Sequence, residues 1–223
     1  MNIEEAIKTR RSVRAFTDQE VPENVVKKIF ELAIRAPSGT NTQPWHAYTC
    51  AGTIREKIIT DVSKLFDAGL ADKYEDYEYY PPEWKDIHKE RRRKIGWDLY
   101  GLLGIKKGDR VRTAIQAKRN FCFFDAPVGI FFTTDAYLAR GSWSDVGLFM
   151  QTFMLAARAE GLHTCPQAAW ITFQGPIFKH LQIPSDQVIV SGMALGYEDT
   201  NAVENTLESE REPVDQVVKF YGF

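Results

Sequence analysis

The sequence has few cysteines and no long apolar run. Only three of its 223 residues are cysteine, at positions 50, 122 and 165, and none forms a CxxC pair. Three widely spaced cysteines cannot make a complete disulfide framework, so we expect a reducing, cytoplasmic compartment. No apolar stretch approaches the ~18 residues that a transmembrane helix needs, and the charged N-terminus lacks the apolar core of a signal peptide. We therefore expect a soluble protein without a membrane partner.

The sequence also lacks an excess of charge of either sign. Its 28 basic and 30 acidic residues give a formal net charge of −2. This balance argues against a surface built for nucleic acid, because such surfaces carry a clear excess of basic residues. Any basic function must be local, and a chain of this length is expected to form a single domain covering residues 1–223.

Recognisable catalytic motifs are missing as well. We find no GxSxG elbow, no Walker loop and no HExxH pair, and the four histidines lack metal-ligand spacing, so no metal is expected. The GxGxxG turn of resident dinucleotide folds is also absent. If the protein is an enzyme, a bound organic cofactor must perform the chemistry, and no catalytic side chain is predicted.

Apolar residues follow helical spacing in several segments and form three strand-like runs. Asn2 and Glu5 make a capping-box pattern, Thr53 with Glu56 is predicted to cap a later helix, and Gly161 suits a helix end. The predicted helices begin near residues 3, 23, 53 and 142, and the predicted strands cover residues 46–50, 126–135 and 187–196. Because helices outnumber strands and no βαβ rhythm is visible, we expect an α+β fold.

The segment 142–161 is apolar around most of its circumference. A helix of this kind needs cover on several sides, and we expect part of that cover to come from a second subunit.

Residues 72–113 differ in composition from the rest of the chain. They mix aromatics, acids, bases, a double proline and glycines, which is typical of a functional insertion such as a lid over a site. Flat apolar faces would come from its aromatic residues, which include Tyr79 and Tyr100. Tyr80, Trp84 and Trp97 are the candidates for contact with a substrate, although packing within the lid explains them equally well.

Three loops carry the groups that a phosphorylated ring cofactor needs. Arg10, Arg11, Ser12 and Arg14 offer guanidinium forks and a hydroxyl for a phosphate, although a solvated basic surface is the alternative. The loop "APSGTNTQPWH" at 36–46 offers amide donors and acceptors for a heteroaromatic edge, or is an ordinary turn. The segment "HTCPQAAW" at 163–170 lets backbone approach a flat ring, or is a plain connection between helices.

Taken in order, these segments resemble the FMN-dependent nitroreductase family. The resemblance is carried by "RRSVRAF", "APSGTNTQPWHAY", "GLHTCPQAAW" and the arginine of "ESEREPVDQVVKF", and it spans the chain apart from residues 72–113. It implies a central, mostly antiparallel sheet flanked by helices, in a domain-exchanged homodimer with FMN at the subunit interface. It also implies that residues 197–223 form an arm that wraps the partner.

The resemblance also implies a role for each matching residue. The FMN phosphate and ribityl chain would contact Arg10, Arg11, Ser12, Arg14 and Arg211. The other subunit would supply Pro37, Ser38, Gly39, Asn41 and Gln43. The flavin ring would meet Pro166, Gln167, Ala168 and Ala169, with Asp145 as a polar neighbour. Two departures stand out: many members have a glutamate–glycine pair at the positions of Ala168 and Ala169, and some have a lysine where Ser209 stands.

The implied activity is a ping-pong reduction in which NADH or NADPH supplies hydride and a nitroaromatic, or a quinone, then takes up the electrons. The basic run at 89–94 is interpreted as a solvated helix face or as a contact for an acidic acceptor or the NADPH phosphate. Reductive dehalogenation of a halophenol and fragmentation of the flavin are alternatives on the same fold. A non-catalytic regulator that binds a phosphate or nucleotide through "RRSVR" is the alternative from another class.

Overall fold

The computed structural model describes residues 1–71 and 79–223, in which a four-stranded sheet is surrounded by helices. The strands are β1 His46–Ala51, β2 Val128–Asp135, β3 His163–Gln167 and β4 Gln187–Gly196. The α-helices are α1 Ile3–Thr9, α2 Glu23–Ala33, α3 Gly52–Asp67, α4 Asp86–Leu102, α5 Arg110–Lys118, α6 Arg140–Ala159, α7 Gln174–Leu181 and α8 Val214–Val217. Short 3₁₀ turns follow at Gly39–Asn41, Arg119–Asp125, Ala168–Phe173 and Val203–Thr206.

The strands pair in the order β1-β2-β4-β3, and all three pairs are antiparallel. Both central strands are almost wholly buried. Side chains alternate along β2, so Ile130 and Phe132 pack among residues of α2 and α6 while Phe131 packs among residues of α3 and α7. The sheet is therefore covered on both faces, and the α+β prediction with a mostly antiparallel sheet is confirmed.

The long helix α6 obtains most of its cover from its own chain. Phe149 and Phe153 are buried and form ring contacts with Phe30 and Phe132. Gly161, at φ +77, follows the helix end as predicted. A narrow stripe on this helix stays exposed, at Ser144, Gly147, Leu148 and Gln151.

The ring of Trp170 packs against strand β4 at Gly192. Trp170 is fully buried and contacts the rings of Phe121, Phe123 and Phe131. A Cβ at Gly192 would lie 2.3 Å from Cδ1 of Trp170, far inside van der Waals distance. Glycine is therefore the residue that lets this ring pack flat on the strand.

Two local predictions were wrong. Residues 163–167 form the edge strand β3 rather than part of a plain connection between helices. Helix α3 begins at Gly52, and no side chain caps it, so Thr53 does not act as its cap. The Asn2 cap is confirmed, since its side chain accepts a hydrogen bond from the Glu5 N–H at 2.8 Å.

The expected lid and C-terminal arm contact each other in the described part of the chain. Helix α4 is exposed along its basic run 89–94, and two of its cations pair with the arm: Arg91 with Glu212 at 2.8 Å and Lys94 with Glu210 at 3.0 Å. Residues 72–78, which belong to the expected lid, lie outside the described residues. No helix in the described ranges is long and apolar enough to cross a membrane.

Candidate functional site

An open cleft of about 1530 Å³ lies beside the N-terminal half of α6. Most of its lining is apolar, and Arg140 is the single charged residue among the described residues that line it. The walls come from the loop 136–139, from Arg140, Trp143, Gly147 and Met150, from Pro166 and Ala168, from Val188, Val190 and Ser191 of β4, and from Tyr79.

Two arginines from opposite ends of the chain lie close together. Burial lowers the pKa of Arg10, and the neighbouring Arg211 guanidinium lowers it further. Among the described residues no carboxylate pairs with Arg10, and Arg211 donates from Nη1 to Ser209 and to the Glu210 carbonyl. Two adjacent cations without an anion are costly, which is the arrangement expected of a site that receives an anion.

The arm positions Arg211 through its neighbours. Glu210 and Glu212 are held by Lys94 and Arg91 of α4. The two acids that flank Arg211 in sequence are thus engaged by another helix, and neither neutralises the pair of arginines.

Ser12 and Arg14 are fixed by the edge of the sheet and by Asn205. Ser12 forms a β-bridge with Thr164 of β3, and Arg14 donates from Nη1 to the Ser12 carbonyl at 3.1 Å. The Asn205 side chain accepts from the Arg14 N–H at 2.8 Å. Cys165 lies beneath them, and burial raises the pKa of its thiol to about 11. The segment is held rigidly beside β3.

Arg11 points elsewhere. Its Nη2 donates to Oε1 of Glu198 at 2.5 Å and its Nε donates to the Asn205 carbonyl at 3.1 Å. The second oxygen of Glu198 lies 3.1 Å from His163 Nε2. Burial, together with Arg158 and Arg11, lowers the pKa of His163 to about 4, so this imidazole is neutral at pH 7. The Arg11 side chain belongs to this internal network, and the geometry does not favour its predicted contact with a phosphate.

In the loop 36–46 most residues from Pro37 to Gln43 are exposed, whereas Pro44 and Trp45 are buried, and no residue of the loop lines the cleft of its own chain. Ser38 Oγ accepts from the Gln43 N–H at 3.0 Å, and Asp145 of α6 accepts from the Gly39 N–H at 3.2 Å. Asn41 and Gln43 have left-handed φ values of 59 and 48, as does Thr40. Such backbone is strained for residues other than glycine and persists where surrounding contacts enforce it. Pro37 is exposed at the start of the loop.

In the segment 166–169, some residues face the cleft and others face the protein core. Pro166 and Ala168 line the cleft. Gln167 is buried, donates to the Asn120 carbonyl at 2.7 Å and accepts from the Trp170 indole at 3.3 Å. Ala169 packs against the core beside Trp170. The side chain of Gln167 is therefore engaged inside the protein rather than available to a ligand.

The predicted substrate aromatics are not brought to the cleft of the single chain. Tyr80 and Trp84 pack together under the Arg92 guanidinium, and Trp97 packs against Tyr100. These contacts match the alternative of packing within the lid.

Other residues line the cleft where the substrate aromatics were expected to lie. Tyr79 lines the cleft, its ring 6.5 Å from that of Trp143, and Tyr137 and Arg140 lie at the start of α6. From the sequence, Tyr79 was named as an aromatic of the expected lid, but none of these four residues was predicted as a substrate contact. The short turn 136–139 before a long apolar helix was the available signal.

Comparison with known proteins identifies the family of the chain. The model of the Nitroreductase family matches residues 7–197. The chain is 38% identical over 216 residues to a 4-nitrobenzoate reductase of Nocardioides sp. (strain LMS-CY), covering 96% of this chain and 87% of that protein. It is 36% identical over 219 residues to a nitrobenzene nitroreductase of Ectopseudomonas oleovorans, covering 98% and 96%.

A solved structure shares the whole fold. The FMN and NADPH-dependent nitroreductase NfnB from Sphigopyxis sp. strain HMH superposes with a TM-score of 0.96 at 34% identity, and the match covers 100% of both chains. Family, full-length relatives and fold agree. The chain belongs to the nitroreductase family.

Proposed function

We propose that this protein is an FMN-dependent nitroreductase that takes electrons from NADPH or NADH and reduces nitroaromatic compounds. The observation that carries the proposal is the unneutralised pair Arg10 and Arg211, with Arg10 two residues before the bridge of Ser12 to β3, the strand whose end lines the cleft through Pro166. The full-length relatives named as nitroreductases support the same activity.

The residues present fit FMN. A phosphate carries close to two negative charges, and Arg10 with Arg211 supplies matching charge, while Ser12 and Arg14 lie in the same rigid segment. Pro166 and Ala168 present a small, low wall on which a flat ring can lie. When bound, FMN supplies the ring that accepts hydride and returns electron pairs.

The protein's own part is to bind the electron donor and the acceptor and to restrict access to the cleft. NADPH delivers hydride and leaves, and a nitroaromatic takes its place in the same cleft. The nitro group takes up two electrons and two protons and loses water to become nitroso, and a second pair gives the hydroxylamine. Tyr79 and Trp143 offer aromatic faces that stack on the donor or the acceptor, and Val188 and Val190 of β4 line the cleft with apolar side chains.

The test is anaerobic turnover. Purified protein is expected to be yellow, to lose its colour with NADPH under anaerobic conditions, and to recover it when nitrobenzene is added. A quinone and a halophenol serve as rival acceptors in the same stopped-flow series. A colourless protein that stays colourless after incubation with FMN would contradict the proposal and favour the phosphate-binding regulator.

We propose in addition that the working form is a homodimer in which residues 197–223 wrap the partner. The end of the arm exposes several large apolar side chains, and Leu148 on the exposed stripe of α6 is a further one. The exposed apolar residues of the arm are Val214, Val217, Val218, Phe220, Tyr221 and Phe223. The exposed part of the loop, residues 37–43, would then reach the partner's cleft.

The dimer proposal predicts a clear effect of truncation. Removal of residues 214–223 is expected to weaken dimerisation by at least about ten-fold, because several apolar side chains lose their cover. Sedimentation equilibrium measures the change. A truncated chain that dimerises as tightly as the intact one would remove the arm from the interface.

The cytoplasmic location remains a proposal, supported by three cysteines that are all free.

A further inference from the structure

We infer that Arg140 selects nitroaromatic acceptors that carry a carboxylate. The inference rests on the proposed nitroreductase function and adds a specificity-determining residue to its cleft. Arg140 is the first residue of α6 and the single charged residue among the described residues that line the cleft.

The guanidinium of Arg140 is available to a ligand. It is exposed, and among the described residues no carboxylate or other side chain pairs with it. Asp135, the acidic residue five positions before Arg140, contacts His46 instead, at 3.1 Å. An arginine whose described neighbours in the cleft wall are uncharged attracts an anionic group and can bind a carboxylate with two parallel hydrogen bonds.

The sheet register separates the start of the loop that leads to Arg140 from the small-residue wall at Pro166 and Ala168. Asp135, which leads into the loop before Arg140, pairs with Gln187 at the start of β4. Gln167, which leads into Ala168, pairs with Gly192. Five residues of strand separate these positions, or roughly 17 Å at the rise of a β-strand.

This separation suits a ring with groups at both ends. An arginine side chain reaches several ångströms from its Cα, and an aromatic ring with a carboxylate and a nitro group in para positions fills the remaining span. A carboxylate held by Arg140 directs the nitro group towards Pro166 and Ala168. Nitrobenzene, which lacks the carboxylate, gains nothing from Arg140.

The first experiment separates acceptors by charge. Reduced holoenzyme is reoxidised with 4-nitrobenzoate and, separately, with nitrobenzene, for the native protein and for Arg140→Gln. The rate constant for 4-nitrobenzoate is expected to fall about ten-fold, which is typical of a lost charge-assisted hydrogen bond, and that for nitrobenzene to stay unchanged. Equal effects on both acceptors, or no effect on either, would overturn the inference.

The chain offers a matched control. Arg110 is the exposed first residue of α5 and does not line the cleft. Arg110→Gln removes the same charge from the same helical position, and its ratio of the two rate constants is expected to equal that of the native protein. Arg140→Lys keeps the charge and is expected to recover most of the preference for 4-nitrobenzoate.

The phosphate of NADPH is the other anion that Arg140 could bind, and the two half-reactions distinguish them. If Arg140→Gln slows reduction by NADPH but not by NADH, and leaves reoxidation by 4-nitrobenzoate unchanged, the residue belongs to the donor and the inference is wrong.

A binding measurement needs no turnover. Benzoate is expected to bind oxidised holoenzyme about ten-fold more weakly after Arg140→Gln, while the binding of neutral benzamide stays the same, as measured by calorimetry. If the native protein fails to reduce nitrobenzene, the proposed function fails, and the benzoate comparison still decides the role of Arg140.

Discussion

FMN is expected to bind roughly 1,000-fold more weakly when Arg10 and Arg211 are both replaced by glutamine. Each replacement removes a charge-assisted hydrogen bond to the phosphate, worth about 2 kcal/mol, and every 1.4 kcal/mol changes affinity about ten-fold. Equilibrium titration of the apo-protein, followed by quenching of flavin fluorescence, measures the dissociation constant.

Riboflavin makes this experiment specific for the phosphate. It shares the ring and ribityl chain of FMN but has no phosphate, so the double variant should bind it about as well as the native protein does. The native preference for FMN over riboflavin should therefore largely disappear. A double variant that keeps this preference would place the phosphate elsewhere.

The stability of the apo-protein supplies the control for folding. Arg211 lowers the pKa of Arg10, which means that the two charges repel each other in the absence of an anion. Removing them should leave the melting temperature of the apo-protein unchanged or slightly raised. Lys8→Gln is the matched surface change, because Lys8 lies two residues before Arg10 and makes an exposed ion pair with Glu4.

The second large effect is on stability, at the contact between Trp170 and Gly192. Gly192→Ala is expected to lower the free energy of unfolding by about 3 kcal/mol, because the new Cβ would meet Trp170 Cδ1 at 2.3 Å and Cγ at 2.9 Å. The ring cannot move aside, since Phe121, Phe123 and Phe131 surround it. Denaturant unfolding of the apo-protein measures the loss.

A double-mutant cycle tests the cause. Trp170→Ala should cost about 4 kcal/mol through the cavity it leaves. In the combination of both changes the clash no longer exists, so the pair should cost about as much as Trp170→Ala by itself. Additive losses would show that the clash is not the cause.

Gly96→Ala on α4 is the matched control for this cycle. It adds the same methyl group at a helical site with nothing within 4 Å. It should stabilise the protein slightly, by up to about 1 kcal/mol.

The fold was predictable where buried residues form a continuous apolar pattern in the sequence. The strand at 187–196 and the helix ended by Gly161 match the structure because their apolar residues lie where the sheet and its cover require them. The strand β3 escaped prediction because "HTCPQ" contains a proline and polar residues, which an edge strand tolerates.

The candidate site was also predictable in part. Arg10, Ser12 and Arg14 could be proposed from local sequence and a resemblance. That Arg11 instead pairs with Glu198 had no local signal, since 187 positions separate them. Arg140 was missed because a single arginine at a helix start becomes informative only when folding shows that the other described residues lining the cleft are uncharged.

The bridge between Ser12 and Thr164 has a consequence for how the protein behaves in a crowded solution. A free sheet edge offers unpaired backbone groups to other chains and invites association. Here the Val13 N–H bonds to the Thr164 carbonyl at 3.1 Å, and Pro166 has no N–H to offer, so part of the outer edge of β3 is closed. The segment proposed to hold the cofactor thus also protects the sheet from aggregation. The same few residues therefore serve both the site and the resistance of the protein to misassembly.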